Sequence, residues 1–245
     1  MNPKERLDVL VAARGLAESR EQAQRLILAG DIRVNGHPAT KAGQRYPPDI
    51  GIERVAPPRF VSRGGEKLEG AFAAFALDVA GLDCLDVGAS TGGFTDCMLQ
   101  HGAARVIALD VGHAQLHGKI RRDPRVTVIE GFNARFLTAA DIPYRPHFAT
   151  ADVSFISLKL ILPRMAEVLL PGGQAVTLIK PQFEAGRAQA PRGVVRDPAV
   201  REAVCQAIRR FGVEELSLEW KGLAPSPLAG PRGNVEFLAW WGKPA

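Results

Sequence analysis

Two lysines and two acids stand where expected elements begin or end in this 245-residue chain: Lys67 in SRGGEKL at the start of a helix, Asp152 in ADVSFISL and Lys180 in LIKPQFE at the ends of strands, and Glu236 in GNVEF at the opening of the last strand. Amines and carboxylates that share a site can steer a weakly acidic hydroxyl or take its proton, because burial and neighbouring charges shift which form each group prefers. General-base help of this kind is worth about 10²–10⁴ in rate, and positioning adds to it. A single lysine at a strand end is ordinarily a solvent-facing charge. Four such groups in the order Lys-Asp-Lys-Glu make a candidate catalytic site.

A second cluster of candidates lies in Leu85-Asp86-Val87-Gly88-Ala89-Ser90-Thr91-Gly92-Gly93-Phe94-Thr95-Asp96. An apolar strand ends on an acid, a glycine-rich turn follows and a helix begins. Glycines let the backbone approach a ligand closely, and open α/β sheets bind ligands outside the carboxyl ends of their strands. Gly88, Gly92 and Gly93 do not match the GxGxxG spacing of a dinucleotide site, whose helix N-terminus holds a pyrophosphate. S-adenosylmethionine carries no phosphate and suits a looser, acid-led turn. The expected cofactor contacts are Asp86, Gly88, Ser90, Thr91, Gly92, Gly93 and Phe94. Asp110 with Val111 follows at the end of the next strand, where a carboxylate can accept hydrogen bonds from both ribose hydroxyls. Asn133, near the adenine, and Asp152 complete the expected cofactor contacts. For Asp86 the alternative is that it orients the turn. For Asp110 it is an ordinary strand-end acid, and for Asn133 an ordinary loop residue.

The elements that must position these groups alternate along the chain. Strands are expected at 84–87, 106–110, 126–129, 148–152, 175–179, 216–220 and 235–240, and helices at 67–77, 94–100, 116–122, 158–169 and 199–211. This pattern predicts an α/β fold with a mostly parallel seven-stranded sheet covered on both faces. Two loops rich in Gly and Pro, 180–198 and 223–233, are long enough to carry function. Arg187, Arg192 and Arg196 in the first either clamp phosphate or form a solvated basic loop. Phe60, Phe94, Phe155 and Phe183 either stack on bases or fill the core.

Upstream of Pro57-Pro58 the chain reads differently. Residues 4–14 place Leu7, Leu10 and Val11 on one helical face. Ser19 and Gln22 have capping-box spacing ahead of a second helix that ends before Gly30. Asn35-Gly36 signals a hairpin, and residues 50–55 a further strand. Residues 1–57 thus form a small α+β unit, 58–63 a linker and 64–245 the larger domain. The net charge of +5 permits a polyanionic partner without demanding one. Arg6, Arg14, Arg20, Arg25 and Arg33 either line one face and meet phosphates or form a solvated charged surface; Ser19, Asn35 and the linker's Arg63 join them as candidate RNA contacts.

Cysteines 84, 97 and 205 have no CxxC spacing, so no disulfide framework and no metal is expected. The N-terminus lacks a signal-peptide pattern, and the longest apolar run is broken by Asp78. A cytoplasmic protein without membrane contact is the expectation.

Arg6-Leu7-Asp8, Gly15-Leu16, Ser19-Arg20, Ala23, Ile27, Gly30, Ile32, Val34 and Asn35-Gly36 resemble an S4 RNA-binding domain. DVGASTGGFTD is similar to the first motif of class I methyltransferases. Together with SRGGEKL, ADVSFISL, IKPQFE and GNVEF it resembles the TlyA (hemolysin A) family, which joins an S4 domain to an FtsJ-type domain. That resemblance implies S-adenosylmethionine-dependent 2′-O-methylation of cytidine in ribosomal RNA or a ribosomal subunit. It also implies a catalytic tetrad of Lys67, Asp152, Lys180 and Glu236. Lys180 would be the base or hydroxyl-steering group, Lys67 would tune it and help bind the target, and the two acids would hold the lysines in register. The short tail after the last strand leans the expectation toward large-subunit (23S) RNA, with 16S RNA as a second target. The competing expectations are a membrane-active hemolysin, a non-enzymatic RNA-binding protein and a small-molecule methyltransferase.

Overall fold

The computed structural model describes residues 3–55, 58–186 and 188–245. The expected boundary at Pro57 and the expected phosphate contact at Arg187 lie outside the described residues. The chain divides into two compact units, Met1–Arg59 and Phe60–Ala245.

In the first unit, strand β1 (Glu5–Arg6) leads into helix α1 (Leu7–Ala13), and α2 (Arg20–Ala29) follows. The helix expected from residue 4 begins at Leu7 because Glu5 and Arg6 are drawn into antiparallel pairing with β4 (Arg45–Tyr46). Ser19 Oγ accepts the Gln22 amide at 3.1 Å, and Gly30 ends α2 at φ 82°. Strand β2 (Ile32–Val34) pairs with β3 (His37–Pro38) through Asn35-Gly36, both at positive φ, and with β5 (Ile52–Arg54) on its other edge. Leu7, Val11, Ala23, Ile27, Ile32 and Val34 form the core.

The second unit holds seven strands: β6 (Asp83–Val87), β7 (Arg105–Leu109), β8 (Val126–Ile129), β9 (Phe148–Ala151), β10 (Gln174–Ile179), β11 (Glu219–Pro225) and β12 (Phe237–Gly242). Their order is β11-β12-β10-β9-β6-β7-β8. The five strands β6–β10 are parallel, while β12 runs antiparallel to β10 and β11 antiparallel to β12. Alternate residues of one strand enter different cores, as a strand's period of two requires. Leu85, Val87, Ile107 and Leu109 join Leu162, Met165, Val204 and Ile208, while Cys84, Val106 and Ala108 join Leu68, Phe72, Phe94 and Met98. The first core is covered by α6 (Leu162–Val168) and α8 (Pro198–Arg210), and the second by α3 (Gly64–Phe75) and α4 (Gly93–Gln100). β6 is flanked by β7 on one side and β9 on the other, so the order reverses there and opens a crevice at the strands' carboxyl ends.

Three expected elements differ. The helix expected at 158–169 is a short turn, Leu158–Leu160, followed by α6, because Pro163 at the start of α6 cannot donate a backbone bond to the preceding turn. The helix expected at 116–122 is a single turn, α5 (Gly118–Arg121). The strand expected at 216–220 lies further on, at β11, because the chain leaves α8 through a wide turn at Phe211–Glu215. Gly212 in that turn lies so close to the buried Trp241 ring that a Cβ would stand 2.3 Å from it.

Candidate active site

Each member of the Lys-Asp-Lys-Glu set sits where a regular element begins or ends. Lys67 is in the first turn of α3, Asp152 follows β9, Lys180 follows β10 and caps α7 (Pro181–Glu184), and Glu236 immediately precedes β12. The four converge. Lys67 Nζ is 2.7 Å from Glu236 Oε2 and 3.9 Å from Asp152 Oδ2, while Lys180 Nζ is 2.5 Å from Asp152 Oδ1. The Lys180–Asp152 contact is ionic and lacks hydrogen-bond alignment, leaving Asp152 Oδ1 without a directed donor. The aligned bond from Lys180 goes to Ser154 Oγ at 2.9 Å.

Charges alternate through the array as Glu236, Lys67, Asp152, Lys180. That alternation permits burial: Glu236 is 1% and Lys180 7% exposed, which isolated charges would not tolerate. Gln182 Nε2 donates to the second oxygen of Glu236 at 3.0 Å. Glu184 accepts from Ser157 Oγ at 2.6 Å and from the Leu158 amide at 2.7 Å, tying α7 to the segment after β9. At Gly230 a Cβ would stand 2.0 Å from Glu236 Oε1, so a side chain there would have to displace the carboxylate from its present position. Ser154, Gln182 and Gly230 escaped the sequence reading, because nothing in their local pattern reveals partners up to 54 residues away.

The array borders a cavity of about 660 Å³, a size typical of small-ligand sites. Lys67, Asp152, Lys180, Arg63, Gly88, Ser90, Thr91, Gly93 and Phe94 all line it. The fit to a ligand pressed against the backbone is tight at Gly88. Its φ is 82°, and a Cβ there would meet the Asp152 carbonyl at 2.8 Å. Gly92, at φ 91°, turns the chain into α4 and packs on Leu116 without joining the lining.

Asp86 stands apart from the other residues of the glycine-rich stretch. It has no exposed surface and does not line the cavity. Its oxygens accept from Thr95 Oγ1 at 2.7 Å and Thr150 Oγ1 at 3.0 Å. Burial pushes its carboxyl up to about 6, with the Asp152 charge adding to the rise and the two threonine bonds opposing it. Asp110 Oδ2 accepts the Ser90 amide and Oδ1 the Gly112 amide, both at 2.7 Å, so it braces the glycine turn while keeping further lone pairs for a ligand. Val111 beside it is 68% exposed. Asn133 Oδ1 accepts the Arg135 amide at 3.1 Å. Asp110, Val111 and Asn133 lie outside the cavity's lining.

Of the aromatic candidates, Phe60 and Phe94 are buried core residues. Phe155 is 91% exposed in a left-handed backbone conformation and rests on Phe183 with ring centroids 5.0 Å apart. Lys180 Nζ is 5.9 Å from the Phe183 ring centre, so an open aromatic step adjoins the charged array.

The basic candidates of the first unit divide by what they touch. Arg6 and Arg20 both bind the buried Asp8 carboxylate, which also accepts from Gln24 and the Val9 amide. Arg14 donates to the Pro48 carbonyl, Ser19 caps α2, and Asn35 Oδ1 accepts the Gly51 amide. Arg25 and Arg33 are exposed, with no side-chain bond or ion pair among the described residues.

Glu69, Cys97 and His101 bring three possible metal-ligand atoms within 4.8 Å of one another. Glu69 and His101 are hydrogen-bonded at 2.7 Å and Phe72 stacks on the imidazole, so ring and carboxylate are engaged within the packing of α3 against α4.

Comparison with known proteins agrees with this arrangement. Residues 60–243 match the FtsJ-like methyltransferase family and residues 5–49 the S4 domain. The chain is 46% identical, over 98% of its length and 90% of the relative's, to a Mycobacterium tuberculosis (strain ATCC 25618 / H37Rv) protein named 16S/23S rRNA (cytidine-2′-O)-methyltransferase TlyA. It is 45% identical to a Brachyspira hyodysenteriae protein named Hemolysin A, over 96% of this chain and 98% of that one. A solved structure from Streptococcus thermophilus, provisionally described as a hemolysin, superposes with a TM-score of 0.76 at 47% identity, covering 100% of this chain and 90% of the other. The chain is therefore a member of the FtsJ-like methyltransferase family that carries an S4 domain ahead of the catalytic one and groups with the TlyA and hemolysin A relatives.

Proposed function

We propose that this enzyme transfers a methyl group from S-adenosylmethionine to the 2′-hydroxyl of a cytidine in ribosomal RNA, in the cytoplasm, with 23S and 16S RNA as the candidate targets. The observation that carries the reading is the buried, charge-alternating array of Lys67, Asp152, Lys180 and Glu236 at the edge of a glycine-lined cavity. The relative named for cytidine 2′-O-methylation in both RNAs supports the substrate.

The residues divide the work. Gly88, Ser90, Thr91, Gly93 and Phe94 would hold the cofactor, and Asp110 would take the ribose hydroxyls with the acceptor capacity its two backbone bonds leave. S-adenosylmethionine supplies an electrophilic methyl group when bound. Lys180 Nζ, fixed by Asp152 and Ser154, steers the target 2′-hydroxyl and, as the free amine once its own proton has passed to solvent, takes the proton that the hydroxyl loses as the methyl group is transferred. Lys67, clamped by Glu236, keeps a second positive charge beside Asp152, so Asp152 is shared between two amines and holds both. Phe155 on Phe183 offers a face for the target base. Residues 1–57 act as the RNA-binding part, 58–63 as the linker and 64–245 as the catalytic part. Arg25 and Arg33 make no side-chain bond among the described residues, and Arg14 uses one donor on the Pro48 carbonyl, so these three keep donors for phosphate.

The test is methyl transfer from labelled cofactor to purified ribosomal subunits, with the modified nucleotide mapped by ribose-methylation sequencing. Label on a cytidine ribose supports the reading, and label on protein, on small molecules or nowhere overturns it. The hemolysin reading keeps one observation, the name of the Brachyspira relative. No helix among the described residues is long and apolar enough to cross a membrane. Leakage of liposomes by the pure protein, with no methyl transfer to RNA, would favour it.

A further inference from the structure

The chain makes the same tight turn twice. Pro191-Arg192-Gly193 and Pro231-Arg232-Gly233 each carry their arginine in the left-handed backbone region, at φ 56° and 59°. A side chain with a Cβ adopts that conformation at a cost of roughly 1 kcal/mol, which glycine or asparagine would largely avoid.

The two turns are locked to each other. Arg232 Nη1 donates to the Arg192 carbonyl at 2.6 Å. Asn234, 3% exposed, donates to the Gly193 and Pro231 carbonyls at 2.9 and 3.0 Å and accepts the Val195 amide at 3.1 Å. Two residues further on comes Glu236, so the clasp and the charged array share one stretch of backbone. Arg232 is thereby held at the edge of the cavity, whose lining it joins together with Arg63, Lys67 and Lys180.

The charges of that lining do not cancel. The two lysines use the two acids of the array. Arg63 and Arg232 are exposed and have no carboxylate partner among the described residues. Arg232 keeps four of its five N–H donors after the bond to Arg192, enough for a two-pronged grip on an anion. Two anions could answer: the amino-acid carboxylate of the cofactor and a backbone phosphate of the substrate.

We propose that Arg232 binds a phosphodiester of the substrate strand next to the target ribose, making the clasped turn a phosphate subsite of the active site. The inference rests on the RNA reading above. An exposed residue on a turn pinned to a neighbouring loop suits a large polyanion arriving from solvent. A contact to a phosphate beside the reacting sugar fixes the register of that sugar against Lys180 without reading the base.

The experiment compares the full-length wild-type chain with Arg232→Ala and Arg232→Lys, using purified ribosomal subunits as substrate across a salt series. Arg232→Ala is expected to raise KM for the subunits roughly tenfold, the scale of a charge-assisted hydrogen bond. It should also lower the slope of log kcat/KM against log salt by roughly 0.7–0.9, the value of one lost phosphate contact. Arg232→Lys should restore the slope. Cofactor affinity, measured by calorimetry, should stay within twofold in both variants. An unchanged KM and slope in Arg232→Ala would overturn the subsite, as would a loss of cofactor affinity matching the rise in KM, which would assign Arg232 to the cofactor carboxylate. Absence of transfer by the wild type would instead overturn the RNA-methylation reading. The salt slope for binding a transcribed 23S RNA would then test Arg232 separately, with an equal slope in wild type and Arg232→Ala counting against it.

Discussion

Asp8 in the first unit and Asp86 in the second are both without exposed surface, yet their surroundings treat them in opposite ways. Asp8 receives two arginines, a glutamine amide and a backbone amide, and the Arg6 guanidinium leads in holding its carboxyl well below the usual carboxylate range. Asp86 receives two threonine hydroxyls and no cation, so burial prevails and pushes it up to about 6. The first unit uses a buried charge to organise its basic residues, at the expense of donors that Arg6 and Arg20 would otherwise offer to RNA. The second uses a carboxyl with a weakened preference for charge as a brace beneath the glycine turn. Its full ionic array stands at the cavity, where charge can act on a substrate.

The comparison can be broken from several sides. The largest effect is expected at the array. Gly230→Ala would push a methyl group against Glu236 and loosen its hold on Lys67, lowering methyl transfer about 100-fold through misplacement while RNA affinity stays near wild type. Single-turnover assays beside filter binding would check this, and an unimpaired rate would mean that Glu236 does not need its present position. Next comes Asp8→Asn. Losing the charge-assisted bonds should destabilise the first unit by about 2 kcal/mol, read as faster hydrogen exchange in α1 and α2 with the second unit's sheet unchanged. Asp86→Asn should cost less than about 1 kcal/mol at pH 7, because an amide still accepts and donates to the two threonines.

The pH dependence sharpens the contrast by its sign. The folded chain keeps Asp86 protonated at pH values where an ordinary aspartate, near 3.8, has ionised. Its contribution to stability is therefore full below about pH 4 and disappears as pH rises through about 6. Asp8 behaves in reverse, contributing fully above its ordinary value of 3.8 and losing that contribution only as pH falls far below it. Denaturant titrations of Asp86→Asn between pH 4 and 6.5 should be flatter than those of the wild type. Parallel curves would contradict the account of Asp86.

Much of this architecture could be read from residue order because its signals are local. The Ser19 cap, the Asn35-Gly36 turn and the glycine run after β6 each need only a few neighbouring residues. The parallel sheet followed from apolar runs alternating with helical ones. Boundaries failed where more than the local apolar pattern decided them: the wide turn at Phe211–Glu215 moved the start of β11, and pairing with β4 delayed α1. The same limit governed the site. Lys67, Asp152, Lys180 and Glu236 could be named because each stands where an element begins or ends, but Ser154, Gln182 and Asn234 could not, since they have partners in other segments, and Gly230 could not, since only the folded loop brings it against Glu236. Asp86 and Asp110 looked alike as strand-end acids, and only burial separates the brace from the residue with acceptor capacity left over.

The central claim is that Lys180 acts on the substrate hydroxyl from within the alternating array. Its most direct test is single-turnover methylation of ribosomal subunits by Lys180→Ala, with cofactor affinity measured in parallel. The account predicts a rate lowered by about 10²–10⁴, the range of general-base assistance, with cofactor binding close to wild type. Cytidine ribose methylation at the wild-type rate by Lys180→Ala would contradict it.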